Sequence, residues 1–332
     1  MNKHPYDSLT PDMVIDAVES AGYLSDARLL ALNSYENRVY QVGVEEAEPL
    51  IAKFYRPERW SEAQILEEHR FSLDLQDAEI SVVAPLVDDA GNTLHLFQGF
   101  QFALFPRRGG YPPELDNYDN LLVLGRTLGR IHALGRSDSF RERQSISVER
   151  MLGEAREFLL ANFIPRELVP AYESLSKDLL DIVGGIYAEV GEQDTIRVHG
   201  DCHVGNILWR DDTAHFVDLD DCVSAPAIQD LWMFLSGERN QQLAQLDTLL
   251  EGYEEFCDFN PVELRLIESL RTMRIMHYAA WLGRRWSDPA FPRSFPWFGD
   301  ARYWSSHILE LREQLAAFDQ PPLALFQPGY PA

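Results

Sequence analysis

The chain carries its most informative polar pattern in HGDCHVGNILW (199–209) and FVDLD (216–220). Asn206 follows Asp201 by five residues, and Asp218 follows Asn206 by twelve. Phosphoryl transfer needs a carboxylate that orients the acceptor hydroxyl and accepts its proton. It also needs hard oxygen ligands for Mg²⁺ beside the nucleotide phosphates. These three side chains supply that set, so the sequence predicts a phosphotransferase site here.

The same stretch has two simpler interpretations, a polar turn and a zinc site. Asp and Asn side chains often stabilise turns by bonding the neighbouring backbone, so HGDCH alone would favour a surface loop. The ordered presence of Asn206 and Asp218 behind it favours the chemical interpretation instead. A zinc site made of His199, Cys202 and His203 is disfavoured because these ligands are too close in sequence and no fourth ligand is evident.

Outward from this stretch, the sequence predicts strands and one main helix in the first part of the chain and mostly helices in the rest. Hydrophobic periodicity, capping residues and turn residues define these elements. They are a helix from Thr10 to Gly22, a hairpin over 27–44 around the polar break 33–37, strands at 50–54, 82–83 and 100–105, a helix from Ser61 to about Leu75, a helix containing Leu121, Leu124, Leu128 and Ile131, and a strand-and-loop region over 195–223. A Pro-rich tail over 320–332 is predicted to be irregular.

This order of elements predicts an α+β fold with two lobes. The first, over 1–105, is a small β-sheet lobe with one main helix, and the second, over 106–332, is larger and mostly helical. The strand at 100–105 ends at Pro106, and Gly109-Gly110 lies just beyond it. We therefore expect the hinge between the lobes at this break.

Composition limits the possible functions. The chain has 332 residues, of which 45% are hydrophobic, so it can bury a large core. Its net charge of −24 disfavours nucleic acid or an anionic membrane as a partner, and it favours a protein substrate that is not strongly acidic. The three cysteines lack CxxC spacing, and no signal peptide or membrane span is evident. We expect a cytoplasmic protein and a monomer.

The polar stretch resembles a known kinase signature. HGDCHVGNILW (199–209) is similar to the HGDxHxxN signature of the aminoglycoside and choline kinase branch of the protein-kinase-like superfamily. VDLDD (217–221) resembles the metal-binding strand of that branch, and the spacing from Asp201 to Asn206 matches the protein-kinase catalytic loop. The resemblance implies that the two lobes form a protein-kinase-like fold.

Three further segments resemble a narrower family, the bacterial stress response kinase A family. They are LNSYENRVY (32–40), KFYRPERWSEAQILEEH (53–69) and RRWSDPAFPRSFPW (284–297). The resemblance runs from about Leu9 to Pro322. It implies a serine/threonine protein kinase of the stress response.

The resemblance also implies roles for individual residues. Asp201 would be the proton acceptor, Asn206 and Asp218 would hold Mg²⁺, and Asp218 would thereby also be catalytic. Ser34 falls where the family contacts ATP. No GxGxxG motif covers the phosphates, because NSYEN (33–37) stands in its place, so backbone and hydroxyl donors are expected to bind the nucleotide. A plain polar hairpin turn is the simpler alternative.

Lys53 lies within an apolar strand, where an ammonium group is costly to bury unless an anion pairs with it. Kinases pair such a lysine with nucleotide phosphates and with a glutamate of the next helix. The next helix offers Glu67 and Glu68, and the spacing to Leu75 favours Glu68 by resemblance to the family. A lysine that reaches solvent from a strand edge is the alternative.

Other residues near the motif have less specific predictions. His203 either touches the transferred phosphate or holds the loop. His132 is expected to be a satisfied core residue, while Asp220 would assist the metal and Asp230 would brace the catalytic loop. The cluster Arg284-Arg285-Trp286 either recognises an acceptor or packs within the helical lobe.

The predicted activity is transfer of the γ-phosphoryl group of Mg-ATP to a protein hydroxyl, including the protein's own. One rival keeps the chemistry but gives the acceptor role to a small alcohol such as an amino alcohol, an amino acid or a sugar. A second rival is a nucleotide-binding scaffold without turnover. It is disfavoured because Lys53, Asp201, Asn206 and Asp218 are all present.

Overall fold

The structure, a computed structural model, describes residues 6–191 and 194–325. Of the tail predicted to be irregular, 326–332 lies outside these residues, and 321–325 has no regular secondary structure. The first part of the chain contains two helices and five strands. They are α1 (Pro11–Ser20), β1 (Ser25–Ala31), β2 (Arg38–Val44), β3 (Leu50–Phe54), α2 (Glu62–Asp77), β4 (His95–Phe97) and β5 (Phe100–Pro106).

The five strands form one antiparallel sheet in the order β1-β2-β3-β5-β4. Side chains alternate between the two faces of a strand, so Ala52 and Phe54 point away from Lys53. Ala52 and Phe54 belong to the apolar cluster that the sheet forms with α1. Lys53 pairs in register with Val39 of β2 and Ala103 of β5, in the middle of the sheet. The sheet therefore presents Lys53 on the face opposite to its own core.

Capping residues set the helix starts as the sequence predicts. The Thr10 side chain accepts the backbone N–H of Met13 at 3.3 Å, and Ser61 and Gln64 form the reciprocal capping box of α2. The predicted strand at 82–83 is wrong, because Val82 forms only an isolated bridge with Phe216. Strand β4 is only three residues long and was not predicted from the sequence.

The second part of the chain is mostly helical. Its elements are α3 (Tyr118–Gly135), α4 (Glu154–Asn162), α5 (Val169–Val190), β6 (Ile196–Val198), β7 (Ile207–Arg210), β8 (Thr213–Phe216), β9 (Val223–Ala225), α6 (Ile228–Leu231), α7 (Arg239–Tyr253), α8 (Ile267–Arg284), α9 (Ala290–Ser294) and α10 (Ala301–Ala317). The strands form two small antiparallel pairs, β6 with β9 and β7 with β8. These pairs form the predicted strand-and-loop region over 195–223. Asp201, Asn206 and Asp218 lie in the segments that connect their strands.

The two lobes share part of their core through α2. Phe71 and Leu75 of α2 belong to the large apolar cluster of the helical lobe, as do Ile80 and Val82. Strand β5 ends at Pro106, one residue after the predicted boundary between 105 and 106, and α2 before that boundary packs into the core of the helical lobe. None of the helices in the described residues is long and apolar enough to cross a membrane.

Candidate active site

Lys53 lies at the centre of a buried ion-pair network between the lobes. Its Nζ is 3.0 Å from Oδ1 of Asp218, 3.0 Å from Oδ1 of Asp220 and 3.7 Å from Oε1 of Glu68. The Lys53 side chain is 7% exposed. An ammonium group is retained at such a depth only when anions surround it, and here three carboxylates do so. The alternative of a lysine that reaches solvent from a strand edge does not describe this geometry.

The two neighbouring glutamates of α2 have different partners. Glu68 is buried and points at Lys53, whereas Glu67 lies on the next position around the helix. The Glu67 carboxylate accepts the backbone N–H groups of Arg141, Glu142 and Arg143 at 2.6, 2.9 and 2.7 Å. Glu67 thus holds the segment before α4, and Glu68 is the glutamate of α2 that contacts Lys53.

Charge and burial shift the protonation of this network. Burial acts to lower the pKa of Lys53, but Asp218, Asp220 and Glu68 outweigh it and raise that pKa well above its ordinary value. Burial raises the pKa of Glu68 to about 7, against the attraction of Lys53. Burial also opposes ionisation of Asp220, yet Arg59 and Lys53 hold the pKa of this carboxyl well below its usual range. Lys53 and Asp220 are therefore charged at neutral pH.

Asp220 is committed to protein cations. Its Oδ2 accepts hydrogen bonds from Asn37 at 3.2 Å and from Arg59, and its Oδ1 faces Lys53. Arg143 donates to its backbone carbonyl. These contacts make Asp220 a buried anchor for Lys53, and its predicted assistance to a metal stays a prediction.

Asp230 of α6 braces the loop that carries Asp201, over 199–206. Its carboxylate accepts the backbone N–H groups of His199 at 2.7 Å and Gly200 at 2.9 Å. His132 contacts the same carboxylate at 3.0 Å and also bonds the Tyr253 hydroxyl, so it is the satisfied core residue that the sequence predicts. A β-carbon at position 200 would overlap the Asp221 carbonyl, and φ is 87° there, so glycine is required.

Asp201 lies at the accessible side of the cleft, with 28% of its side chain exposed. It forms an ion pair with Arg274 of α8, and His203 Nε2 is 3.5 Å from its other oxygen. Burial acts to raise the pKa of Asp201, but its contacts with His203 and Arg274 hold it well below its usual range. Its carboxylate is therefore ionised at neutral pH, as a proton acceptor must be. His203 also accepts the Gly205 N–H at 2.9 Å, which fits a role in holding the loop.

Asn206 and Asp218 are held side by side. The Asn206 side-chain amide donates to the Asp201 backbone carbonyl at 2.9 Å, and the Asn206 backbone carbonyl accepts the Val217 N–H at 3.0 Å. Asp218 has a left-handed backbone, with φ 60° and ψ 61°, and 54% of its side chain is exposed. One amide oxygen and one accessible carboxylate suit Mg²⁺, which binds few protein ligands and takes the rest from phosphates and water. The donor set therefore fits this ion.

The hairpin between β1 and β2 is tied to the helical lobe. Glu36 accepts hydrogen bonds from Trp281 Nε1 of α8 at 2.5 Å and from Arg285 Nε, just after α8, at 2.9 Å. The Tyr35 ring lies 4.7 Å from the Phe295 ring. Ser34 donates to the Asn37 carbonyl at 3.1 Å within the hairpin. These contacts fix the hairpin against the helical lobe, and the predicted contact of Ser34 with ATP stays a prediction.

Sequence reasoning missed two arginines of this site. Arg274 lies 73 residues after Asp201, and Arg59 lies 161 residues before Asp220. Arg59 lies within the segment 53–69, but no local pattern pairs Arg59 or Arg274 with a carboxylate so distant in sequence. The residues of the Arg284-Arg285-Trp286 cluster have different contacts. Arg285 bonds Glu36, and the Trp286 ring packs 4.9 Å from the Phe298 ring.

Known proteins share the sequence family and the fold of this chain. The sequence pattern described as the phosphotransferase enzyme family (APH) matches residues 28–267. The fold and the site define a phosphotransferase with two kinase-like lobes, and the chain belongs to the phosphotransferase enzyme family.

Relatives of known name are similar over nearly the whole chain. The chain is 47% identical to the stress response kinase A of Shigella flexneri, over 96% of this chain and 97% of that protein. It is 46% identical to the serine/threonine protein kinase RdoA of Salmonella typhimurium, over 98% of both chains. The resemblance predicted from the three sequence segments is confirmed.

Solved structures share the fold at lower identity. An amicoumacin kinase in complex with AMP-PNP, Ca²⁺ and Ami has a TM-score of 0.74 at 20% identity, covering 97% of this chain and 96% of that one. A microcompartment-associated aminopropanol kinase has a TM-score of 0.70 at 18% identity, covering 92% and 98%. These likenesses confirm the predicted two-lobed α+β fold.

Proposed function

We propose that this protein is an ATP-dependent serine/threonine protein kinase. In this reaction the γ-phosphoryl group of Mg-ATP passes to a protein hydroxyl. The observation that carries the proposal is the convergence of Lys53, Glu68, Asp201, Asn206 and Asp218 on one cleft, although they come from separate parts of the chain. A scaffold without turnover has no need of an ionised Asp201 beside an intact lysine network.

Each side chain has a task that its surroundings support. Lys53 binds the nucleotide phosphates, since Glu68 and Asp220 hold its ammonium group in place. Asp201 orients the acceptor hydroxyl through a carboxylate that is ionised at neutral pH, and it takes the proton that the hydroxyl loses as its oxygen bonds to phosphorus. Asn206 and Asp218 would hold Mg²⁺, which supplies positive charge that offsets the charge on the phosphates. Ser34 and the backbone of the hairpin between β1 and β2 would bind the nucleotide through hydroxyl and N–H donors.

The choice of acceptor rests on the relatives. Those of 46–47% identity bear the names stress response kinase A and serine/threonine protein kinase RdoA. The kinases named for amicoumacin and aminopropanol are only 20% and 18% identical and share the fold alone. A protein hydroxyl is therefore favoured over a small alcohol. A cytoplasmic location fits a use of ATP and three buried thiols.

Labelling with radioactive ATP tests the proposal. Purified protein with Mg-ATP is incubated alone, with generic proteins, and with small alcohols, and protein-bound label is subjected to phosphoamino-acid analysis. We expect label on Ser or Thr of the enzyme or of an added protein, and none with Asp201→Asn. Absence of protein-bound phosphate, together with rapid phosphorylation of a small alcohol, would show that the acceptor is the alcohol.

A further inference from the structure

One face of α8 extends across the cleft, from the loop that carries Asp201 to the hairpin between β1 and β2. Arg274, His277, Trp281 and Arg284 follow one another at spacings of three, four and three residues, so they lie on the same face of the helix. Arg274 forms the ion pair with Asp201, and Trp281 donates to Glu36 of the hairpin. His277 lies between these two contacts in sequence, so this face borders the space in front of Asp201.

A further arginine reaches the same place from another element. Arg150 belongs to the helical turn Glu149–Gly153, which packs against α8. Its Nε is buried and has no hydrogen-bond partner among residues 6–191 and 194–325. Within these ranges neither Arg150 nor Arg284 forms an ion pair, and Arg284 lies over the Phe158 ring at 5.3 Å. We call Arg150, Arg274, His277 and Arg284 the basic patch.

The His277 ring reports the charge of the basic patch. Burial lowers the pKa of His277, and the positive charges of Arg150, Arg284 and Arg274 lower it further, to about 4. Its Nδ1 is also buried without a hydrogen-bond partner in the described part of the chain. Buried polar groups without partners cost free energy. Arg150 and Arg284 form no ion pair within the described residues, so they favour an incoming anion, although Asp221 and Glu154 attract Arg150. The environment is therefore locally positive in a chain whose net charge is −24.

We propose that the basic patch binds an anionic group of the acceptor, a carboxylate or a phosphate close to the hydroxyl that Asp201 faces. This inference rests on the proposed function, under which the anion belongs to an acidic or already phosphorylated residue near the target Ser or Thr. Arginine suits this task because its planar fork pairs with both anions through two hydrogen bonds. The patch repels cationic amino alcohols, and it overrides the expectation, drawn from net charge, of a substrate that is not strongly acidic.

Peptides that differ at one position test the inference. Each contains one phosphorylatable Ser with Glu, Gln, Lys or phosphoserine at a neighbouring position, and the neighbour is moved along the peptide. At the position where the neighbour has the largest effect, we expect kcat/KM to be about tenfold or more higher for Glu or phosphoserine than for Lys. The Lys peptide lacks the charge-assisted hydrogen bond to the patch, and loss of such a bond has an effect of this size. The ratio between Glu and phosphoserine identifies which anion is preferred.

Two variants and a matched control assign the preference to the patch. Arg284→Glu should reverse the order of the Glu and Lys peptides, and the neutral pair Arg150→Gln with Arg284→Gln should abolish it. Arg271→Gln, on the same helix, should keep the preference because Arg271 pairs with Glu268 and lies over the Trp232 ring. Circular dichroism and thermal unfolding establish whether each variant is folded. If Arg284→Glu does not fold, the double variant Arg150→Gln with Arg284→Gln tests the inference in its place.

The outcomes separate this inference from the proposed function. Equal kcat/KM for Glu and Lys peptides in the unmodified protein, or an unchanged preference in the folded variants, overturns the inference and leaves the kinase activity standing. If only small alcohols are phosphorylated, the proposed acceptor is wrong and the same comparison is made with alcohols. An alcohol with a carboxylate or phosphate should then exceed one with an ammonium group, and the opposite order overturns the basic patch.

Discussion

The two sides of the cleft are built in opposite ways. On the nucleotide side, Lys53, Glu68 and Asp220 are buried and neutralise one another in a network closed by Arg59. On the acceptor side, Asp201 is 28% exposed and its partner Arg274 is 41% exposed. Low-dielectric burial fixes the geometry of charges, whereas exposed charges are screened and their long side chains can rearrange. The difference indicates a preformed phosphate site facing an adaptable acceptor site.

The largest expected effect separates these two sides directly. Asp201→Asn keeps the size of the side chain and removes the proton acceptor, so we expect turnover to fall by about 10²- to 10⁴-fold. ATP affinity should change little, because Asp201 lies on the acceptor side. Asp218→Asn should lower both turnover and Mg-ATP affinity, since Asp218 contacts Lys53 and would hold Mg²⁺. Calorimetry measures Mg-ATP affinity, and steady-state kinetics measure turnover. Full activity in Asp201→Asn would contradict the role of Asp201 as the proton acceptor.

The neighbouring glutamates of α2 give a smaller and sharper contrast. Glu68→Ala removes a partner of Lys53, so we expect turnover to fall by about tenfold or more. Glu67→Ala leaves Lys53 untouched but deprives three backbone N–H groups of their acceptor, so it should cost about 1–3 kcal/mol of stability. Urea unfolding measures the stability of both variants, and steady-state kinetics measure their turnover. A damaged turnover in Glu67→Ala with a silent Glu68→Ala would reverse the assignment of the helix face.

The smallest expected effect is the pH dependence of stability on the nucleotide side. Burial raises the pKa of Glu68 from its ordinary value of 4.5 to about 7, so the folded chain binds this proton more tightly than the unfolded chain. The free energy of unfolding should therefore fall as pH rises from about 4.5 to about 7, with Glu68 contributing no more than about 3 kcal/mol. Glu68→Gln should remove this part of the slope in urea unfolding at about pH 5 and about pH 8.

Glu263 provides a matched control for that measurement. Burial raises its pKa to about 7 as well, but its carboxylate bonds the Ile228 N–H in the helical lobe. Glu263→Gln should flatten its own share of the slope and leave Mg-ATP affinity unchanged. A slope that is identical in Glu68→Gln and in the unmodified protein would mean that Glu68 is ionised throughout the folded state.

Local elements followed from local signals. Thr10, Ser61 and Gln64 mark helix starts because a cap satisfies N–H groups within the next turn. The strand predicted at 82–83 failed for a related reason. Val82 packs in the apolar cluster that contains Phe216, and the Val83 N–H bonds the Phe216 carbonyl, so the two valines contact β8 without forming a strand. Apolar composition alone does not distinguish these cases.

The sequence by itself determined the α+β order of elements and the residue types of the site. Periodicity, caps and the ordered spacing of Asp201, Asn206 and Asp218 are properties of short segments, and they can be read without knowing what packs against them. Only the tertiary structure decided which glutamate meets Lys53, that Asp220 anchors this lysine, and that Arg274 faces Asp201. Such pairings depend on where distant helices and strands meet, and long-range contacts leave no periodic trace in the sequence.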